Sequence, residues 1–361
     1  LIEGLADRAR AVRSLAIGLL LSASGSAVAA TADPAELLVQ ISDASRKANY
    51  QGVIFYQTRD RQETLRVTHG HGEQGAIERV STLDGAPMEI IKKDGKVICL
   101  LPKDRKVTLD QPTPQALFPS LTPERVAQMA AVYKFESMAP DRVAGRKCQG
   151  LMITPRDQFR YGYQIWADEE TQVPLKVNLL APNGVVLEQM FFTQVEFPEV
   201  IPESAFHVDV DPEKYRQITR LERPPEPAPM PAEADVQARL HNLPPGYRIT
   251  MREVRPTVDG KGWVEHLVLS DGLSAISVFR ARRPHPSFEG QSQIGAVHVF
   301  GRTVGRVHIT VVGEAPSETV QMIGQNVGDG DSDDDDDTVQ KPSAAAAPEK
   351  VPSPAREGAT P

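Results

Sequence analysis

The chain has 361 residues, 24% of them charged and 40% hydrophobic, a balance that excludes wholesale disorder and leaves room for two domains. Its formal net charge of −8 misleads as a guide to partners, because −6 of it falls after Asn326. The remainder is close to neutral, so nothing in the average points to nucleic acid or to an acidic substrate.

The first thirty residues carry a basic region (Arg8, Arg10, Arg13), an apolar core from Leu15 to Leu21, and small residues around Ala27-Val28-Ala29. That layout predicts an export signal over 1–30, and the apolar run is too short to span a bilayer. Asp33, Pro34 and Glu36 then form a helix start, followed by Leu37, Ile41, Ala44 and Ala48 at helical spacing. Short alternating segments follow at 50–56, 64–69, 77–83, 88–92 and 97–101, punctuated by Asp84-Gly85 and Asp94-Gly95. Thr122 and Pro123 open a second helix, with Val126, Met129, Ala130 and Tyr133 on one side.

From Gly150 to Phe197 the apolar residues alternate through four segments. Tyr161, Tyr163 and Ile165 share one parity, as do Leu175, Val177 and Leu179, and then Val185, Leu187, Phe191, Val195 and Phe197. Such alternation predicts a meander with one apolar face, and Asn183-Gly184 predicts a tight hairpin within it. Together with the earlier strands this gives a large antiparallel sheet that must curl. With only two helices to cover it, an apolar ligand or partner segment is expected on the exposed lining. Phe55, Tyr161, Tyr163, Leu175, Val177, Leu187 and Phe191 are the candidate contacts. The other reading of the same stripe is ordinary core.

The Pro-rich stretch from Glu222 to Pro231 reads as part of an extended linker over 211–236. It divides a large domain at 31–210 from a smaller one at 237–327. The smaller one has strands near 247–254, 263–269, 274–280, 294–300 and 307–312, and a closing helix from Pro316. The acidic and Ala/Pro-rich tail over 328–361 reads as disordered. The fold class is therefore α+β, predominantly antiparallel β.

Chemistry-bearing motifs are sparse. His69-Gly70-His71, with Glu73 nearby, reads as a solvated turn rather than a metal site, and Asp331 with Asp333–Asp337 as a solvated tail. No nucleophile elbow, Walker loop, dinucleotide fingerprint or H-E-x-x-H occurs, so no cofactor, metal or enzymatic activity is expected. Cys99 and Cys148 are either a disulfide closing about 50 residues, worth roughly 4 kcal/mol, or two buried thiols. Arg280, Arg282 and Arg283 enter a Pro-bounded loop, as a solvated patch or as contacts to an acidic partner. Arg156 and Arg160 invite the same two readings, with Asp157 or Asp168 as local partners.

Thr154-Pro155-Arg156-Asp157-Gln158, Arg160-Tyr161-Gly162-Tyr163, Trp166 and Val173-Pro174-Leu175-Lys176 together resemble the heart of the RseB/MucB family. Tyr50-Gln51-Gly52, Val143-Ala144-Gly145-Arg146, Asp271-Gly272-Leu273-Ser274 and Thr310-Val311-Val312-Gly313-Glu314-Ala315-Pro316 fit the same pattern. The acidic tail departs from it. The resemblance implies an unclosed antiparallel barrel like that of the outer-membrane lipoprotein carriers, its hollow plugged by helices, joined to a smaller domain. It implies a periplasmic regulator that binds the periplasmic part of an RseA/MucA-type anti-sigma factor and shields it from proteolysis. Lipid or lipopolysaccharide is then the releasing ligand. Homo-oligomerisation is left open. A lipid carrier sharing the fold is the first alternative and an exported hydrolase the second.

Overall fold

Asp33 starts the first helix, α1 (Pro34–Lys47), by accepting a hydrogen bond from the Ala35 amide at 3.0 Å, and Arg46 and Lys47 sit at its negative end. Its buried face carries Leu37, Leu38 and Ile41. The computed structural model describes residues 33–72, 75–93, 96–101, 106–110, 119–207, 216–219, 240, 242–256, 263–282 and 288–328. The export signal, Glu73, residues 221–239 of the linker and the acidic tail all lie outside them.

Six strands follow α1: β1 (Tyr50–Thr58), β2 (Gln62–Gly72), β3 (Gly75–Thr82), β4 (Glu89–Lys93), β5 (Lys96–Leu101) and β6 (Lys106–Asp110). Helix α2 (Pro123–Met129) is capped by Thr122, whose hydroxyl accepts from the Arg125 amide. Five more strands follow, β7 (Tyr133–Val143), β8 (Arg146–Pro155), β9 (Gly162–Asp168), β10 (Pro174–Leu180) and β11 (Val186–Glu196); the last four make the expected four-segment meander, and β7 is a strand that the alternation did not predict. A short strand, β12 (Arg216–Thr219), pairs parallel with β6. The linker expected from 211 therefore contributes a strand to the sheet at 216–219.

These twelve strands make one sheet in the order β12-β6-β5-β4-β3-β2-β1-β11-β10-β9-β8-β7. Two meanders meet at the β1–β11 pair, and among the described residues the sheet does not close, since β12 and β7 are its edges. Helices α1 and α2 pack on the face that carries Leu151, Ile153, Ile165 and Ala167. The Asn183-Gly184 turn forms as the sequence predicts, with Gly184 at φ 81° and its amide bonded to the Ala181 carbonyl.

The smaller sheet holds β13 (Arg248–Pro256), β14 (Trp263–Ser270), β15 (Ala275–Arg282), β16 (Gly290–Ile294), β17 (Val297–Val304) and β18 (Val307–Glu314). Their order is β13-β14-β15-β18-β17-β16. Helix α3 (Ser317–Gln325) closes a separate core through Val320 and Ile323 against Leu267, Ile276 and Ile309. Both sheets belong to one compact unit.

Two local expectations are corrected. Tyr133 does not continue α2, which ends at Met129; it opens β7, where pairing with Pro155 and contact with Arg160 claim its ring. His69-Gly70-His71 is not a turn but the end of β2. His69 is buried, stacked on Tyr50 at 4.8 Å, and its Nδ1 donates to the Ala48 carbonyl. Burial lowers its pKa, so it is a neutral core residue.

Candidate functional site

The strand registers sort the seven candidate contacts onto two faces. Tyr56, Met190 and Val177 are paired across β1, β11 and β10, and this row faces the helices. Phe55, Phe191 and Lys176 form the adjacent row and therefore face the other way. Phe55 and Phe191 meet there at 5.5 Å between ring centroids. The parity that placed Phe191 with Leu187 fails because β10 and β11 slip register between Leu179 and Leu180, leaving Leu187 as an extra residue.

On the helix face, Leu175 is 0% and Tyr161 3% exposed. Tyr163 and Val177 pack against the core formed by α1, α2, β8 and β9. Tyr161 and Leu179, with Leu187 beside them, are covered by Ala296 of the small domain. The lining is thus filled by the two helices at one end and by the second domain at the other.

An open cleft of about 390 Å³ lies beside Phe191. Phe191 and Phe192 give it an aromatic side, Val143 and Ala144 come from the β7–β8 turn, and Arg142 and Lys176 supply cations. Lys176 stands 4.3 Å over the Trp166 ring and 3.5 Å from Asp141. Asp141 also lines the cleft, so its aromatic patch lies beside a net excess of one cation, which suits an amphipathic anion.

The seam between the domains holds a second constellation. Arg160, fully buried, donates through Nε and Nη2 to both oxygens of Asp157 (2.9 and 3.0 Å) and through Nη1 to Asp271 (2.7 Å). Its Nη2 also donates to the Pro245 carbonyl, and the guanidinium lies between the rings of Tyr133 and Tyr247. Asp271 accepts from the Tyr133 hydroxyl and, at its other oxygen, from the Leu273 and Ser274 amides. Burial works against the charge on Arg160, yet the Asp157 hydrogen bonds and the Asp271 charge outweigh it and raise its pKa. Asp157 is the partner that spacing suggested; Asp271, 111 residues away, is the one it missed. Asp168, the other local candidate, pairs with Arg146 at 2.6 Å, and Arg156 donates to the Ala130 and Tyr133 carbonyls.

Farther along the seam, Glu188 of β11 accepts from the Tyr56 hydroxyl (2.7 Å) and from the Ala296 amide of the small domain (3.1 Å). Tyr161 donates to the Ala296 carbonyl, and Thr319 of α3 donates to the Phe159 carbonyl. Glu314, at the end of β18, is half-buried.

Among the arginines expected to meet a partner, Arg280 is buried against Glu265 inside the small domain, so it offers no surface. Arg282 ends β15, and Arg283 lies outside the described residues. Cys99 and Cys148 are free thiols rather than a disulfide. Cys148 is buried in the core and its thiol is pushed up to about 11, chiefly by burial. Among the described residues no cluster of side chains has the make-up of a metal site, and no helix is long and apolar enough to cross a membrane.

Family models match almost all of this architecture. The MucB/RseB N-terminal domain model covers residues 33–211 and the MucB/RseB C-terminal domain model covers 232–328. The sigma factor AlgU regulatory protein MucB of Pseudomonas aeruginosa is 31% identical over 86% of this chain and 96% of its own. The sigma-E factor regulatory protein RseB of Escherichia coli K12 is 29% identical over 86% and 94%. The crystal structure of MucB in complex with MucA(peri) superimposes with a TM-score of 0.61 at 27% identity, covering 81% of this chain and 97% of that one. These relatives are named as regulatory proteins, not enzymes.

Proposed function

The chain belongs to the MucB/RseB family, and from that premise we propose that it is a periplasmic regulator whose partner is the periplasmic segment of a MucA/RseA-type anti-sigma factor. Bound there, it shields the anti-sigma factor from the protease that begins its degradation. The observation that carries this reading is the superposition on MucB in complex with MucA(peri), over 81% of the chain.

Release by lipid is the second half of the proposal. A lipid that prefers the unpartnered form weakens partner binding by its differential affinity, and the partner weakens lipid binding by the same factor. The cleft beside Phe191, with Lys176 and Arg142 at hand, is where an anionic amphiphile first finds apolar surface. Tyr161, Tyr163, Val177 and Leu187 become available to an acyl chain only when the small domain or a helix moves off them. The partner contact falls on the small domain and linker, with Arg282 and Arg283 as its basic elements.

Calorimetry with the purified chain and a MucA/RseA-type periplasmic fragment tests both halves. Saturable one-to-one binding, weakened when lipopolysaccharide is added, is expected. Lipid transfer between vesicles with no affinity for the fragment would assign the chain to carriage instead.

A further inference from the structure

A second, smaller cleft lies on β2 and β3, away from both the domain seam and Phe191. Arg66 and Thr68 of β2 stand opposite Ser81 and Arg79 of β3, so the four residues share one face of two paired strands. Val67 and His69 face the other way, toward Ala48 at the end of α1. The four side chains line a space of about 80 Å³. That is far below the roughly 300–1,000 Å³ of clefts that take drug-sized molecules, and it suits one small polyatomic ion.

The walls of this cleft are hydrogen-bond donors without partners. Thr68 is only 8% exposed, yet its hydroxyl has no partner among the described residues, and neither has that of Ser81. Arg66 makes no ion pair there either. Arg79 is fixed from behind, with Nε donating to Glu89 and Nη1 to the Ala205 carbonyl at 2.9 Å, which leaves Nη2 uncommitted. Ala205 belongs to a short helical turn, Glu203–Phe206, that crosses this face of the sheet. Gly70 lets it approach, since a Cβ there would stand 2.8 Å from the Phe206 ring. Glu89 does not line the cleft; counted with the two arginines, it leaves a net excess of one cation.

We propose that this cleft is an oxyanion site that takes the terminal group of a phosphate monoester. A guanidinium can only donate, and both hydroxyls are free to turn and donate, so the site is complementary to an ion made of acceptors. The Arg66 fork matches two oxygens of a tetrahedral group, and the Thr68 and Ser81 hydroxyls are placed for the others. A metal cation would meet two positive charges. A phosphodiester, substituted on both sides, is too large to enter so small a space end-on. A soluble phosphate ester and a lipid with a terminal phosphate offer the same chemistry to it.

The test is a titration of the isotope-labelled full chain with inorganic phosphate at constant ionic strength, followed through the Thr68 and Ser81 amide resonances. Saturable shifts are expected. Arg66→Ala should weaken binding about tenfold or more, and Thr68→Val, which keeps the shape and removes the hydroxyl, about fivefold. Arg66→Lys keeps the charge but not the fork and should fall between wild type and Arg66→Ala. Arg59→Ala, which removes an equal charge from the exposed β1–β2 turn, should bind phosphate as the wild type does. Shifts that never saturate, or an equal loss in Arg59→Ala and Arg66→Ala, overturn the site. If Thr68→Val fails to fold, the arginine variants decide, and wild-type affinity in Arg66→Ala overturns it. Vesicles containing phosphatidic acid, compared with phosphatidylglycerol at equal charge, then separate the two sources. A preference for phosphatidic acid that Arg66→Ala abolishes supports the site and assigns it to a headgroup. Phosphate saturation with no such preference supports it as a site for a soluble ester. Neither result depends on whether the anti-sigma fragment binds.

Discussion

The two ends of the domain seam are held in different ways. At one end Arg160 and Asp271 are both fully buried, yet each is surrounded by groups of complementary sign: Asp157, the Pro245 carbonyl and two aromatic rings for the cation, a phenol and two amides for the anion. At the other end Glu188 accepts from neutral donors, the Tyr56 hydroxyl and the Ala296 amide across the seam. The first end is a clamp whose strength is fixed by geometry across the ordinary pH range. The second is held by two neutral hydrogen bonds to Ala296, from its amide to Glu188 and from the Tyr161 hydroxyl to its carbonyl.

Removing the clamp is the sharpest way to break that contrast. Arg160→Ala leaves Asp271 buried with its main counter-charge gone and vacates the space between Tyr133 and Tyr247. A loss of about 3–5 kcal/mol is expected in denaturant unfolding. Arg160→Lys restores a charge but not the fork that serves two carboxylates and a carbonyl, so it should recover less than half of the loss. If Arg160→Ala unfolds within 1 kcal/mol of the parent, the network contributes nothing and both ends of the seam are incidental.

Next in size is Gly272→Ala, which probes how the clamp is positioned. Gly272 has φ 118°, and a Cβ there would stand 2.6 Å from Met129 Sδ, a buried atom of α2. Both the backbone conformation and the contact oppose a side chain, at about 2 kcal/mol. The string Asp271-Gly272-Leu273-Ser274 acquires a physical meaning here. Asp271 receives Arg160, the next residue must be small to let the turn approach α2, and the following two amides hold the carboxylate.

The same residues show how far the sequence alone carries. Alternation and turn chemistry placed most of the strands, the Asp33 and Thr122 caps and the Asn183-Gly184 hairpin, because these depend on neighbours in the chain. Arg160 was visible as an arginine with a carboxylate three residues before it. Its role was not, because Asp271 arrives from another domain. Tyr133 looked like the end of a helix until the pairing of β7 with β8 claimed it. Glu188 carries no motif at all, and its role shows only when the Ala296 amide of the small domain reaches it. Phe191 was assigned to the wrong face by a one-residue register slip, which no periodicity reveals.

Tyr161→Phe tests the second end with a smaller effect. The phenol reaches the Ala296 carbonyl at 3.3 Å, and its loss should cost about 1 kcal/mol. The hydrogen bond between the Ala296 amide and Glu188 remains. The substitution should therefore lower the hydrogen-exchange protection of the Ala296 amide without abolishing it. Unchanged protection at Ala296 would mean that the Tyr161 hydroxyl contributes nothing to the seam.

The smallest stability effect separates the seam from the cleft. Lys176 spans Asp141 and the Trp166 ring on the face away from the helices, a partly exposed arrangement worth about 0.5 kcal/mol. Lys176→Ala should scarcely change unfolding and should leave Ala296 exchange as it was, since no contact links it to the seam. Its effect should appear only with anionic vesicles, as weaker binding that added salt no longer reduces to the same extent. Unchanged vesicle binding would remove the cleft from the lipid half of the proposal and leave acyl-chain contact to the lining under the small domain. The two substitutions then discriminate routes of lipid entry: an outer cleft that is open, or a lining that is reached only when the small domain moves off it.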